Sequence, residues 1–287
     1  MVLCARLAYP DRWYHLPQYF GRSISWLSRV FTSASVHVAK RFEHLMLWHP
    51  RINNYEVLAM YAEAIERRGY GQKIWGFIDG TFMGFGRPQR MNQRLWYSGF
   101  YKGHGLKYQV IITPDGIISS LSPPFPGPRN DWFMTQRTGL ILKLQQVMAG
   151  HERLYLYGDP AYSCSWGILA PYSHPDGFRY LSPGQRAFNQ HLAKARIAVE
   201  NGLGIIQNFF TRTAFAEAIQ PCKQEPAAHY FASGFLTNLL TCLRANLVSD
   251  RFWCSPPDLW EYLCVPAPPP DERQVIIRSI QVAVGGI

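Results

Sequence analysis

Ile74-Trp75-Gly76-Phe77-Ile78-Asp79-Gly80 puts a carboxylate directly after five residues without a charged side chain. A short apolar run closed by Asp-Gly reads as a buried strand stopped by a turn. The pattern recurs at Leu154-Tyr155-Leu156-Tyr157-Gly158-Asp159. Between the two, residues 108–113 and 117–121 read as strands joined by the tight turn Pro114-Asp115-Gly116, which makes a hairpin. Residues 123–128 form a proline-rich connector, and residues 178–181 read as a fifth strand. The spacing predicts helices over 131–149, 186–208 and 228–247. Hairpin strands, then a helix, a strand and more helices describe a mixed α/β sheet, not a run of uniform βαβ units.

Upstream, the chain changes character. Tyr9-Pro10-Asp11-Arg12-Trp13 and Leu16-Pro17 are turn signals. Ile24, Leu27, Val30 and Phe31 lie on a helical stripe with Ser23 placed to cap it. Val36, Val38, Phe42, Leu45 and Met46 mark a second helical run that ends before Pro50, and residues 53–69 a third. Short helices around Gly21 can form a helix-turn-helix, with Arg22, Arg29, Lys40 and Arg41 toward phosphates. The plainer alternative is a helical cap on the next domain. The divisions expected are a helical region at 1–70, the mixed-sheet domain at 71–250 and a C-terminal extension at 251–287 whose proline-rich start carries no predicted fold.

The 287 residues suit one large domain or two modest ones, and 47% hydrophobic residues suffice for a core. Only 17% are charged, yet Lys+Arg 29 against Asp+Glu 19 leaves a net charge of +10, which favours a polyanionic partner. No apolar stretch is long enough for a spanning helix, and no signal peptide is expected. Cys4, Cys164, Cys222, Cys242, Cys254 and Cys264 form no C-x-x-C, so neither a zinc knuckle nor a disulfide framework is expected, and a reducing compartment is the simpler reading. Ser163 and Cys164 have no histidine placed to activate them, which argues against a nucleophilic hydrolase.

The acids carry the chemistry. Asp79 and Asp159 each close an apolar strand, and Glu200 lies inside the long helix. Two strand-end carboxylates on neighbouring strands repel unless a cation sits between them. Hard oxygen ligands without competing Cys or His favour Mg²⁺ or Mn²⁺. A pair of such ions can activate water and stabilise the leaving oxygen of a phosphodiester. Each aspartate taken singly reads as a turn former; the set reads as a metal site. Glu200 has a bland reading too, as the surface partner of Arg196 one turn earlier, although Ile197, Val199, Leu203 and Ile206 put it near a buried stripe. Asp131, in Gly127-Pro128-Arg129-Asn130-Asp131, is either a helix N-cap or a fourth acid of the site. Asp115 and Asp176 read as turn residues.

Four segments in order are similar to one family. Ile78-Asp79-Gly80-Thr81, Gly127-Pro128-Arg129-Asn130-Asp131, Tyr157-Gly158-Asp159-Pro160-Ala161-Tyr162 and Arg196-Ile197-Ala198-Val199-Glu200 resemble the motifs of Harbinger-type transposases and the nucleases derived from them. Trp96-Tyr97-Ser98-Gly99-Phe100-Tyr101-Lys102-Gly103-His104 resembles the family's segment after the first strand, and the helical stretch from Phe20 to Phe31 its region before the nuclease domain. The match covers about residues 74–245. It implies an RNase H-like sheet flanked by helices and the DDE nuclease class. Asp79, Asp159 and Glu200 would be the catalytic carboxylates, with Asp131 joining them as metal ligands for Mg²⁺ or Mn²⁺. Eighty residues separate Asp79 from Asp159 and forty-one separate Asp159 from Glu200, the second slightly long for the family, with the surplus expected in 171–185.

The resemblance further implies a DNA substrate, a nuclear location, a separate DNA-binding partner protein and room for a homo-oligomer. The chain departs from the family at Phe82, where a His is usual after Asp-Gly-Thr, at Pro128-Arg129, at Ala193 and at Gln207. The acids are intact; the departures touch DNA-end recognition and rate. The stretch before the nuclease domain is short, as in a truncated or domesticated copy or a gene model missing an exon. Lys102, His104, Lys107, Arg186, Lys194 and Arg196 are candidate phosphate contacts. Trp96, Tyr97 and Tyr101 are either base-stacking groups or, more simply, an aromatic sheet edge. The rival functional readings are a catalytically silent DNA-binding or adaptor protein, and an enzyme acting on RNA–DNA hybrids.

Overall fold

The structure, a computed structural model, describes residues 1–9, 13–89, 92–173, 180–221 and 223–285. At its centre β1 (Ile74–Phe85) finds backbone partners on both edges, the condition for burying a strand. The seven-stranded sheet adds β2 (Tyr97–Ser98), β3 (Gly103–Ile112), β4 (Ile118–Leu121), β5 (Phe125–Pro126), β6 (Tyr155–Tyr157) and β7 (Ile168–Leu169) in the order β2-β3-β1-β6-β7, with β4 and β5 also on β3. β3 runs antiparallel to β1, from Phe77 opposite Ile112 to Phe85 opposite His104. β6 runs parallel to β1 with Tyr157 beside Phe77, and β7 is parallel to β6. The hairpin turn at 114–116 is formed as expected, with Gly116 at φ +79 and its Cα against the Asn246 side chain.

One expectation fails here. Asp79-Gly80 does not end β1. The ladder to β3 satisfies the backbone for six more residues, so Asp79 is mid-strand. It is β6 that stops, at Tyr157, and leaves the edge of β1 open beyond Phe77.

Helices flank the sheet: α1 (Val2–Ala8), α2 (Leu16–Phe20), α3 (Ile24–Arg41), α4 (Glu43–Leu47), α5 (Tyr55–Arg67), α6 (Gln93–Trp96), α7 (Asp131–Arg137), α8 (Leu140–Val147), α9 (Pro183–Phe209), α10 (Pro226–Arg244), α11 (Leu247–Phe252), α12 (Leu259–Leu263) and α13 (Pro270–Gly285). Ser23 caps α3 by accepting from the Trp26 N–H at 3.4 Å, as the sequence predicts. The first apolar run and the start of the second, Val36 and Val38, share α3, because no Gly or Pro interrupts residues 24–41, and the break falls later, at Phe42, with Leu45 and Met46 in α4. Conversely, the single helix expected over 131–149 is split at Gly139, whose φ of +63 ends α7 and opens α8.

α3 packs on α10 and α5 on β1, so the helices of 1–70 share one hydrophobic core with the sheet. The proline-rich stretch after Val265 leads into α13, where no element was expected. Tyr180 and Leu181 are irregular. The remainder of the expected fifth strand, Pro10 to Arg12, Asp176 and Cys222 lie outside the described residues. No helix among the described residues is long and apolar enough to cross a membrane.

Two buried histidines make the core sensitive to acid. The His49 ring bonds the Tyr262 carbonyl through Nε2 at 2.9 Å, and its Nδ1 accepts the Arg51 N–H. Burial, with Arg51 and His44 adding to it against Asp115, lowers its pKa to about 4. Burial beside Arg212 and Arg6 lowers that of His229 to about 3. Both rings are neutral in the fold, whereas the unfolded chain protonates them near pH 6.5. Their contribution is therefore complete above pH 6.5 and is lost as the pH falls below it. Denaturant titrations should lose roughly 1 to 3 kcal/mol per histidine between pH 6.5 and 4. His49→Gln should remove its share of that slope; an unchanged slope would show that His49 does not titrate on unfolding.

Candidate functional site

The register of the parallel strands decides the site. Phe77 lies beside Tyr157, the last paired residue of β6, so Asp79, two residues further along β1, and Asp159, two residues past the end of β6, follow the same paired position. Beyond Tyr157 no β6 backbone covers β1, and a cleft of about 520 Å³ opens over that edge. Asp79, Asp131, Asp159 and Glu200 all line it. The four acids read from the sequence are thus brought to one cavity.

They enter it differently. Side chains alternate across a strand, so Asp79 and Gly80 point to opposite faces of β1. Asp79 faces α9, where the Arg196 guanidinium lies 3.6 Å from its Oδ2 and 3.4 Å from Glu200 Oε1. Asp131 covers the Gly80 face. A Cβ at residue 80 would come within 2.0 Å of Asp131 Oδ1, so only glycine lets the acid lie across the strand there. Gly158 is required for a similar reason, as its Cβ would press on the Tyr162 ring at 2.9 Å.

Asp131 is the first residue of α7, and the N-cap is Asn130, whose Oδ1 accepts the Phe133 N–H at 2.8 Å. The capping alternative for Asp131 therefore gives way to a cleft-facing one. Lys107 Nζ donates to Asp131 Oδ2 at 2.9 Å, and the buried Tyr162 hydroxyl stands 3.5 Å from Oδ1. Gln109 bonds Thr135 at 2.8 Å and fastens α7 to β3, so Asp131 is held by a rigid frame. Asp159 Oδ1 accepts the Ala161 N–H at 3.0 Å, its turn-forming role, while still lining the cleft.

The electrostatics are uneven. The Asp79 side chain is 15% exposed, against 55% for Glu200. Burial pushes the Asp79 carboxyl up to about 6; Arg196 and the Gly80 N–H oppose the rise, and Asp159 and Asp131 add to it. An ionised Asp79 is thus poorly stabilised and gains from any added cation. Among the described residues no three His, Cys, Asp or Glu groups are gathered closely enough to hold a metal ion as they stand. Lys107 pairs with Asp131, and Arg196 with Asp79 and Glu200.

Of the other sequence candidates, Lys107 serves Asp131 and is buried. Tyr97 packs on His104, Trp96 on Phe85 and Tyr101 on Phe82, much as an aromatic sheet edge would. Cys164 Sγ exchanges bonds with the Ala170 backbone. The side chains of Ile197, Val199 and Leu203 lie outside the described residues. The site also includes Tyr162, against Asp131, and Phe100, on the cleft wall, and neither has a sequence signal of its own, since Tyr162 follows the Gly-Asp turn as one of many tyrosines and Phe100 carries no polar atom.

A family model described as DDE superfamily endonuclease matches residues 78–238, more than half of the chain, and spans all four acids. The chain belongs to the DDE superfamily endonucleases. No curated protein and no solved structure matches it. DDE endonuclease domains generally use divalent metals. The donor chemistry of this DDE endonuclease fits such a group: four carboxylates, hard oxygen donors without thiolate or imidazole, and one of them buried at an energetic disadvantage when charged.

Proposed function

We propose that this chain is a divalent-metal-dependent DNA endonuclease of Harbinger-type transposase descent, with an RNase H-like domain. The observation that carries this reading is that Asp79 and Asp159, each two residues past the last β1–β6 pair, line one cleft at the open edge of β1. The sheet order, antiparallel on one side of β1 and parallel on the other, supports the RNase H-like assignment. Asp79, Asp159 and Glu200 are the catalytic carboxylates and, with Asp131, the groups that would hold Mg²⁺ or Mn²⁺. Bound there, such ions supply Lewis acidity toward the phosphoryl oxygens. Asp79 supplies ligand charge from β1, and Asp159 from the turn that follows β6. Glu200, exposed on a helix, closes the set from the other side. Arg196 balances the negative cleft when no ion is bound. The net charge of +10 supports a DNA substrate, approached through phosphate contacts.

The proposal extends to a nuclear location and to a separate DNA-binding partner protein, with the helices of 1–70 and the turn at Gly21 between α2 and α3 as a helix-turn-helix-like contact. The test is nicking of supercoiled plasmid in Mg²⁺ or Mn²⁺ by wild type and Asp159→Asn. Wild type should nick and the variant should not, with unchanged thermal midpoints. Equal nicking by both would remove Asp159 from the mechanism. Metal binding measured by calorimetry without cleavage of any DNA would favour a silent DNA-binding descendant.

A further inference from the structure

Phe100 is the most exposed large hydrophobic residue described, at 87%, and it lines the carboxylate cleft. It sits in the loop between β2 and β3, where Ser98 pairs with Gly103 and only four residues make the connection. The loop is shaped rather than loose: the Tyr101 N–H donates to Ser98 Oγ at 3.4 Å, and Lys102 takes a left-handed φ of +49. Phe100 stands edge-on to Tyr101, with ring centroids 4.9 Å apart and planes at 82°. Tyr101 in turn lies flat on Phe82 at 4.2 Å and 6°, and it also lines the cleft. The three rings form a column from the sheet to the lip of the cleft, ending in an unpacked aromatic face.

An aromatic ring this exposed is unfavourable in water and fills no gap in the fold. A nucleobase is the substrate part with a flat apolar face to match it. In continuous duplex those faces are covered by neighbouring bases. They become available where a base is unpaired, and stacking on an aromatic side chain is tolerant of sequence. Arg129 lies over the Phe133 ring and adds positive charge to the same cleft.

We propose that Phe100, propped by Tyr101 and Phe82, is a stacking platform for one unpaired base next to the scissile phosphate. The preferred substrate is then DNA that is frayed, bubbled or forked at the cut. The proposal rests on the nuclease reading for the position of the phosphate. It is tested by binding, so the two can fail separately.

The probe is a forked oligonucleotide with 2-aminopurine as its first unpaired base, compared with a fully paired duplex of the same sequence, both without metal. Wild type should quench the 2-aminopurine and bind the fork more tightly than the duplex. Phe100→Ala should lose the quenching and weaken fork binding roughly 5- to 100-fold. Its duplex binding and thermal midpoint should be unchanged, because Phe100 is exposed. Phe100→Trp should retain quenching. Unchanged quenching in Phe100→Ala, equal binding of fork and duplex by wild type, or binding of neither would each overturn the platform. Quenching that depends on Phe100 in a protein that nicks no DNA would instead keep the platform and count against the nuclease.

Discussion

Asp79→Asn is expected to reduce DNA cleavage by more than about 100-fold while leaving the metal-free protein as stable as wild type or more so. The loss follows from removing a ligand charge, since changing even the outer-shell partners of metal ligands typically costs about 10- to 100-fold. The stability half of the expectation comes from burial. The fold raises the Asp79 carboxyl from 3.8 to about 6, chiefly by desolvation, so its charged form is disfavoured relative to the unfolded chain. That penalty is absent below the unfolded value and fully present above about 6, and its upper bound at neutral pH is roughly 3 kcal/mol. Asparagine removes the charge, and its carbonyl can still accept the Gly80 N–H that bonds Asp79 Oδ1 at 2.8 Å. Against this stands the loss of the Arg196 contact, which at 3.6 Å is long, and Arg196 keeps Glu200. The balance favours an unchanged or raised thermal midpoint at pH 7.5 together with lost nicking. Nicking within tenfold of wild type would sink the catalytic assignment. A large fall in the midpoint would show that Asp79 is a structural residue.

The sequence made the acids visible because two of them repeat one pattern, an apolar run followed by Asp, and because buried carboxylates demand an explanation. It did not reveal which faces they occupy. That depended on β1 continuing past Asp79, and the reason lies in β3, whose partner residues run on to His104. Local turn chemistry at Asp-Gly was overridden by a long-range ladder. The glycine has another task, making room for Asp131, which only the packing of α7 over the strand reveals. Asp131 itself was legible as either cap or ligand; its neighbour Asn130 took the cap and released it. In the N-terminal region the apolar spacing located the helical residues, and the absence of Gly and Pro from residues 24–41 is the local feature that goes with the continuity of Ile24–Arg41. Charge alone marks Lys107 and Arg196 as phosphate contacts. Their pairing with acids distant in sequence could not be read from spacing, except for Arg196 with Glu200 one turn away.

Asp115, unlike Asp79, is buried among hydrogen-bond and ion-pair partners, and its replacement should produce the largest loss of stability. The sequence reading of a turn residue is right as far as it goes: Asp115 lies in the β3–β4 turn, and its Oδ1 accepts the Ile117 N–H at 3.2 Å and the Thr113 hydroxyl at 2.6 Å. Yet the side chain is fully buried, and Oδ2 receives the Tyr61 hydroxyl at 2.6 Å and Arg51 Nη1 at 3.1 Å. One carboxylate thus ties the hairpin to α5 and to the segment that leads into it. Asp115→Ala would strand the Tyr61 hydroxyl and leave Arg51 with the half-exposed Glu261. Breaking one side of a buried pair typically costs about 3 to 5 kcal/mol. In a chain of this size that corresponds to a fall in the thermal midpoint of roughly 10 °C. Asp115→Asn, which keeps acceptor capacity but not charge, should lose less, and the difference between the two measures the Arg51 ion pair. Nicking per folded molecule well below the midpoint should match wild type in both, since Asp115 does not line the cleft. If Asp115→Ala melted within 2 °C of wild type, the network would be contributing little and the hairpin would be held by its apolar face alone.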